Sequence, residues 1–281
     1  MADIKPADIA ALRKKTGAGM MDCKRALAEN DGDLEKATDW LRSQGILKSA
    51  KRSDRAAEDG AVDVIVENGR AALAELTAET DFVAKGSDFT DTVADLTQLV
   101  LDEGDADVAA KAFRGSTVGE VVTDLASKVG ENVGLGRVAR FESSDGILDG
   151  YKHVQNERGT VGVLVELGGV DNSNAKAREV AHDLALHIAS AAPGWVTRDD
   201  VPAETVERER AVFEEQTRAE GKPDQAVPKI VEGRLNGFYK ENVLVDQPFV
   251  RDQKVTIGKL VSDLGADATV RRFVRVKVGE E

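Results

Sequence analysis

The sequence has little of the chemistry on which most enzymes and metal sites depend. Its single cysteine, Cys23, excludes a disulfide within the chain and a CxxC metal site. The three histidines, His153, His182 and His187, show no zinc-ligand spacing such as HExxH, and no GxxxxGK[ST] phosphate loop is present. No serine or cysteine lies in a nucleophile motif such as GxSxG. The residues therefore do not support an enzyme, and we expect no cofactor and no bound metal.

Positive charge and long apolar runs are also scarce. The 281 residues include 38 Lys and Arg against 51 Asp and Glu, a net charge of -13. Because nucleic-acid binding depends on clustered Lys and Arg, no direct nucleic-acid binding is expected. The apolar runs are strand-sized, below the ~18 residues of a membrane span, and residues 1–15 lack the features of a secretory signal. We therefore expect a cytoplasmic protein that does not enter a membrane.

One loose nucleotide-binding pattern is present. Gly134, Gly136 and Ala139 fit the GxGxxA spacing of dinucleotide-binding loops. That motif requires a strand before it and a helix after it, whereas here a helix is predicted before it and a strand after it. We interpret the pattern as a chance match.

Residues 1–50 are predicted to form a separate helical module. Pro6 suits a first helical turn, and a second short helix is predicted over about residues 21–28. Asp33 is a suitable N-cap for a third helix. Three short helices give a small core, so such a module more often recognises a partner than performs chemistry. The mixed charge of residues 48–60 predicts a connecting segment, with the linker placed at 51–60.

Residues 61–79 predict a β-hairpin, which is followed by a helix. Apolar and other residues alternate over residues 62–67, and Asn68-Gly69 is the strongest two-residue hairpin signal. After the second strand, Ser87 is a suitable cap for a helix. The apolar stripe of that helix has the spacing i, i+4, i+7 and i+11 and consists of Phe89, Val93, Leu96 and Val100.

The rest of the chain contains a partial internal repeat. TVGEVVTDL at 117–125 matches TIGKLVSDL at 256–264. Each copy begins with a threonine cap and is followed by a predicted strand. A second hairpin over 151–169 leads into a long helix whose apolar stripe begins at Ala177. The order hairpin, helix, capped helix, strand thus occurs twice.

These patterns together predict an α+β fold. Antiparallel hairpins with helices on one side indicate a core of two related units, at 61–145 and 146–281. The second unit is interrupted over 203–241, where two helices with few apolar residues flank Gly221-Lys222-Pro223. We expect this insertion to be a projecting helical hairpin.

Few residues outside the predicted core are candidates for a site. His187 lies on the flank of its helix's apolar stripe and His182 faces further toward solvent, so both are interpreted as surface or half-buried. Cys23 is interpreted as a small packing residue. Met20 and Met21 follow the flexible TGAG turn. Two interpretations of this pair stay open, core packing and an adaptable apolar contact surface.

The stretch ETDFVAKG at 79–86 connects the first hairpin to the helix after it. Phe82 lies too far before the predicted cap to act as a hydrophobic staple. One interpretation is that Phe82 folds back onto the sheet while Asp81 hydrogen-bonds the turn. The other is an exposed contact that combines an apolar wedge with a carboxylate. Both interpretations remain open at this point.

Two stretches resemble the signatures of the bacterial elongation factor Ts family, the exchange factors of the GTPase elongation factor Tu. They are LRKKTGAGMMDCKRAL at 12–27 and ELTAETDFVAK at 75–85. The resemblance extends over essentially the whole chain. At Thr77-Ala78 the sequence departs from the family pattern, in which an Asn or Val is commonly followed by Cys or Ser.

The resemblance implies a ubiquitin-associated-like N-terminal domain, a two-part core and a coiled-coil arm. It also implies elongation factor Tu as the partner. The stretch that reaches the partner's magnesium site would consist of Thr80, Asp81, Phe82 and Val83. Further partner contacts would be Arg13, Met20, Met21, Lys24 and His187.

Two alternatives from other classes remain. The first is an adaptor whose N-terminal module binds proteins without exchange activity. The second is a hydrolase without a recognisable motif, in which His187 and Cys23 would be the residues to test.

Overall fold

The computed structural model describes residues 4–16, 20–52 and 56–280, except for the side chains of 13–15, 20–22 and 44–52. The chain begins with three helices, which are α1 (Pro6–Thr16), α2 (Met20–Glu29) and α3 (Leu34–Arg52). Asp33 caps α3 as predicted, since its Oδ1 accepts the backbone N–H groups of Glu35 and Lys36. α3 continues to Arg52, so the start of the predicted connecting segment is helical.

The next part of the chain forms a three-stranded antiparallel sheet with helices. Its elements are β1 (Asp59–Glu67), β2 (Arg70–Ala78), α4 (Asp81–Ala84), α5 (Ser87–Glu103), β3 (Ala112–Phe113), β4 (Ser116–Thr117), α6 (Val118–Val129) and β5 (Val133–Glu142). The first sheet has the order β1-β2-β5. The motif-like Gly134 and Gly136 lie inside β5, after α6, so their interpretation as a chance match is confirmed.

The remaining part forms a second three-stranded antiparallel sheet. Its elements are β6 (Ile147–Gln155), β7 (Arg158–Gly168), α7 (Ala175–Ala191), α8 (Ala203–Ala219), α9 (Val227–Asn242), β8 (Pro248–Phe249), β9 (Asp252–Thr256), α10 (Ile257–Ser262) and β10 (Thr269–Lys277). The second sheet has the order β10-β7-β6. The α8–α9 pair confirms the predicted helical hairpin, and its apolar contacts join Phe213 to Val227, Val231 and Leu235.

Local signals place several of these elements as predicted. Asn68 and Gly69 both have positive φ, 50° and 73°, as a tight hairpin turn between β1 and β2 requires. The predicted stripe of α5 is buried, with Phe89 at its start. The N-cap of α5 is Gly86, so the predicted cap at Ser87 is wrong by one residue. Thr117 forms the expected capping box with Glu120 at the start of α6.

The two sheets pack face to face, with helices on the outer face of each. The apolar layer between the sheets contains Val62, Ala71, Leu73, Phe141, Leu164 and Val276. α5 and α6 cover the outer face of the first sheet, while α7 and α10 cover that of the second. At Gly159 the sheets approach so closely that a Cβ atom would overlap the Val62 carbonyl oxygen. The fold is α+β, in agreement with the prediction.

A buried glutamate lies on the inner face of the first sheet. Glu75 accepts hydrogen bonds from the backbone N–H of Arg137 at 3.1 Å and from its Nε at 3.4 Å. The register of β5 shifts opposite Glu75, which brings Arg137 to the carboxylate. Nη2 of Arg137 then donates to the carbonyl oxygens of Lys277 and Glu280, both at 3.0 Å. The ion pair therefore joins the first sheet to the end of the chain.

A second buried glutamate occupies the same place in the second sheet. The side chain of Glu166 is only 4% exposed, and its oxygens accept from Nε of Arg272 at 2.7 Å and Nη1 of Arg271 at 3.0 Å. Arg272 also reaches the first sheet, because its guanidinium lies 4.2 Å from the Phe141 ring centroid and donates to the Glu142 carbonyl. Burial raises the pKa of Glu166, but its hydrogen bonds outweigh burial and lower that pKa overall.

Candidate partner-binding site

The stretch after β2 folds into one short helical turn, α4. Thr80 is its N-cap, with extended backbone and an Oγ1 atom that accepts the Val83 N–H at 3.4 Å. Ala84 is buried and Val83 packs partly against the core of the first sheet. These contacts turn Phe82 outward, so that 74% of it is exposed. The alternative in which Phe82 folds back onto the sheet is wrong. The structure shows the exposure that the other alternative requires, while the contact with a partner stays a prediction.

Charged side chains lie beside the Phe82 ring. The Asp81 carboxylate is exposed, and Nζ of Lys85 lies 3.8 Å from it and 5.4 Å from the Phe82 ring centroid. The i, i+4 spacing of Asp81 and Lys85 on one turn explains this pairing. An exposed ion pair of this kind contributes little to stability and is easily exchanged for another partner. The turn therefore presents an apolar ring and an available carboxylate on one surface.

A glutamate from another loop holds the start of this turn. Glu131 lies between α6 and β5, and its two carboxylate oxygens accept from Thr80 Oγ1 at 2.7 Å and from the Thr80 backbone N–H at 3.1 Å. In return, the carboxylate of Glu79 accepts the backbone N–H of Asn132 at 2.6 Å. Sequence reasoning missed Glu131, because no sequence signal connects it to a residue 51 positions earlier.

The expected contacts in the N-terminal module are only partly described. The side chains of Arg13, Met20 and Met21 lie outside the described part of the structure, so the two interpretations of the methionine pair stay open. Lys24 is exposed on α2. The module touches the core where α3 meets α6, and Arg42 lies 3.7 Å from Glu120 in the first turn of α6.

His187 is fully buried, and its interpretation as a surface or half-buried residue is wrong. Residues 247–250 cover the flank of α7 on which it lies. Its Nδ1 accepts the Val250 N–H at 3.3 Å, which leaves Nε2 to donate to Gln247 Oε1 at 2.9 Å. Gln247 Nε2 in turn donates to the Glu241 carbonyl at the end of α9. The structure therefore does not present His187 to a partner, and instead connects it to the base of the helical hairpin.

Replacing His187 with glutamine should reduce the dependence of stability on pH. Burial lowers the pKa of His187 below its ordinary value of 6.5. His187 therefore binds a proton more readily in the unfolded chain than in the folded one. Its neutral form contributes to the stability of the fold above about pH 6.5, and this contribution is lost as the pH falls through the folded-state pKa. We expect the urea midpoint of the wild type to fall more than that of H187Q between about pH 8 and about pH 5.

The matched control for this measurement is H153Q, because His153 is exposed on β6. This variant should keep the wild-type difference between the two pH values. Equal pH dependence in H187Q and the wild type would contradict the assignment of the effect to His187.

Two family models match the sequence of this chain. The sequence model of the family described as "Elongation factor TS" matches residues 79–280. A second model, described as "Elongation factor Ts, mitochondrial, N-terminal", matches residues 2–48. The first match begins one residue before the Thr80 cap and covers the rest of the described core.

Full-length relatives carry the same family name. The elongation factor Ts of Micrococcus luteus is 47% identical over 284 residues, covering 99% of this chain and all of the relative. That of Thermobifida fusca is 45% identical over 287 residues and the whole of both chains, and that of Limosilactobacillus reuteri is 41% identical over all of this chain and 94% of the relative. The resemblance found in the sequence is confirmed, and the chain belongs to the elongation factor Ts family, a family of translation elongation factors.

Proposed function

We propose that this chain binds elongation factor Tu and promotes release of GDP from it. The observation that carries this proposal is the 74% exposure of Phe82 on a turn that also presents Asp81. A large apolar side chain with that exposure is costly in water and gains on burial in a partner. Membership of the elongation factor Ts family supports the identity of the partner. Thr80, Asp81, Phe82 and Val83 form the proposed contact.

The chemistry of the turn suits a nucleotide site on the partner. A magnesium ion bridges the phosphates of GDP and neutralises their charge, so displacing the ion or its supporting loops weakens nucleotide binding. In this proposal Phe82 enters the partner only when it opens, while Asp81 approaches the cation site. By linkage, incoming nucleotide weakens binding of the factor to elongation factor Tu by the same ratio by which the factor weakens binding of the nucleotide.

The proposal requires no covalent chemistry from this chain, and so we propose an exchange factor, not an enzyme. We also propose that it acts in the cytoplasm without direct contact to nucleic acid. Among the described residues, no helix combines the length and the apolar character that crossing a bilayer requires. Lys24 is proposed as an additional contact because it is exposed on the N-terminal module, and Arg13, Met20 and Met21 are proposed from the family resemblance.

We further propose the domain organisation expected from the sequence. The first unit is a ubiquitin-associated-like module at 1–50, followed by a linker within 51–60 and two related core units at 61–145 and 146–281, the second interrupted by the hairpin at 203–241. The relation of the core units is supported by their matching strand order. Glu75 and Glu166 also support the relation between the two core units, because each lies in the central strand of its sheet opposite a register shift.

The direct test is the dissociation rate of labelled GDP from elongation factor Tu, with and without this protein. We expect the factor at micromolar concentration to raise that rate at least about tenfold, which corresponds to about 1.4 kcal/mol of preferential binding to the nucleotide-free partner. An unchanged rate would show the proposal to be wrong. Binding to elongation factor Tu that is equally tight with and without GDP would instead favour the adaptor.

A further inference from the structure

We infer that Glu131 is a positioning residue for exchange, which acts by fixing the turn that presents Phe82. This inference rests on the proposed function of that turn. Glu131 does not belong to the turn and lies 51 residues away in sequence from Thr80. The antiparallel pairing of Ala78 with Val133 brings the two loops together at the same end of the first sheet. The carboxylate then binds the residue from which α4 begins.

The geometry at Thr80 lets one carboxylate fix both the backbone and the side chain. The Thr80 N–H and Oγ1–H both donate to Glu131, at 3.1 Å and 2.7 Å, so Oγ1 is free to accept the Val83 N–H. Hydrogen bonds to an ionised acceptor are stronger than those between neutral groups. Glu131 therefore sets the rotamer in which Thr80 caps α4.

A short turn needs such an anchor because it has little stability of its own. α4 comprises four residues, whereas isolated helices are marginal below about 12 residues. The ion pair between Asp81 and Lys85 is exposed and contributes little. A wedge that is fixed before binding loses less conformational entropy when it enters a partner. The contribution of Glu131 to exchange would thus be made through the orientation of Phe82.

The test compares E131A with the wild type and with E103A, which removes an exposed carboxylate from the far end of α5. At saturating factor, E131A should release GDP from elongation factor Tu about tenfold more slowly than the wild type, and E131Q should be intermediate because it keeps an acceptor oxygen. E103A should match the wild type. A wild-type rate for E131A would overturn the inference while leaving the proposed function intact.

A double-mutant cycle with Phe82 distinguishes positioning from a general structural effect. If Glu131 acts by orienting Phe82, E131A should add little further loss in an F82A background. The same tenfold loss in both backgrounds would overturn the inference.

Hydrogen exchange gives a readout that does not depend on nucleotide release. The backbone N–H groups of Val83, Ala84 and Lys85 all donate within the capped turn, and we expect them to exchange faster in E131A than in E103A. If the wild type itself fails to stimulate GDP release, the proposed function is wrong, and this exchange measurement alone decides the positioning role. Unchanged protection of the three amides in E131A would overturn that role.

Discussion

F82A is expected to slow factor-stimulated GDP release by about 30-fold while leaving the fold unchanged. The Phe82 ring is 74% exposed in the free protein, so its removal takes almost nothing from the core. Burial of a phenylalanine in a partner contributes about 2 kcal/mol or more, which corresponds to about 30-fold. If the ring enters only the nucleotide-free partner, F82A loses this entire binding free energy from the preference of the factor for the nucleotide-free state. That preference is what drives GDP release. The measurement is the GDP dissociation rate at saturating factor.

Two variants make the F82A result specific. V154A truncates another exposed apolar side chain, on β6, and should keep the wild-type rate. F82L retains an apolar side chain and should fall between F82A and the wild type. The urea midpoint of F82A should equal that of the wild type. Equal release rates for F82A and the wild type at saturation would remove Phe82 from the mechanism.

The elements that the sequence predicted well depend on residues close together in the chain. The Asn68-Gly69 turn fixes the first hairpin through two positive φ angles. The capping box of Thr117 fixes the start of α6, and the periodic spacing that begins at Phe89 fixes the buried face of α5. Each of these signals lies within one continuous segment of the chain, so it does not depend on contacts with distant residues.

The errors arise where the deciding contact comes from a distant segment. His187 was placed on the flank of a stripe, and its burial comes from Gln247, 60 residues later. No sequence signal distinguishes Glu75 and Glu166 from surface carboxylates, and both are buried because the two sheets pack face to face. A single sequence does not show which faces of two sheets pack against each other.

In the candidate site, too, the sequence predicts what neighbouring residues decide and leaves open what distant segments decide. The sequence placed a connection at 79–86 and made Phe82 an unusual residue within it, but it left the exposure or burial of Phe82 open. Exposure is decided by the burial of Ala84 and by Glu131, which lies just before β5, the strand that pairs with β2. The identity of Glu131 as an anchor follows only from that pairing.

The largest stability effect is expected for E166A. This substitution removes the acceptor of Arg271 and Arg272 from the inner face of the second sheet, where the Glu166 side chain is 4% exposed. Removing one partner of a buried ion pair costs about 3–5 kcal/mol. We expect the low end of that range, about 3 kcal/mol, because both guanidinium groups keep contact with water. Urea unfolding at neutral pH measures the change.

The control is D145A, because Asp145 binds the same arginine from the solvent side. Its oxygens accept from Nη1 and Nη2 of Arg271 at 2.7 and 2.8 Å, but its side chain is 70% exposed. Exposed ion pairs of this kind contribute little, so D145A should unfold near the wild-type midpoint. Since Arg272 also donates to the Glu142 carbonyl of the first sheet, E166A should loosen the contact between the sheets as well as the second sheet. Equal destabilisation by D145A and E166A would show that burial of the carboxylate does not decide its contribution.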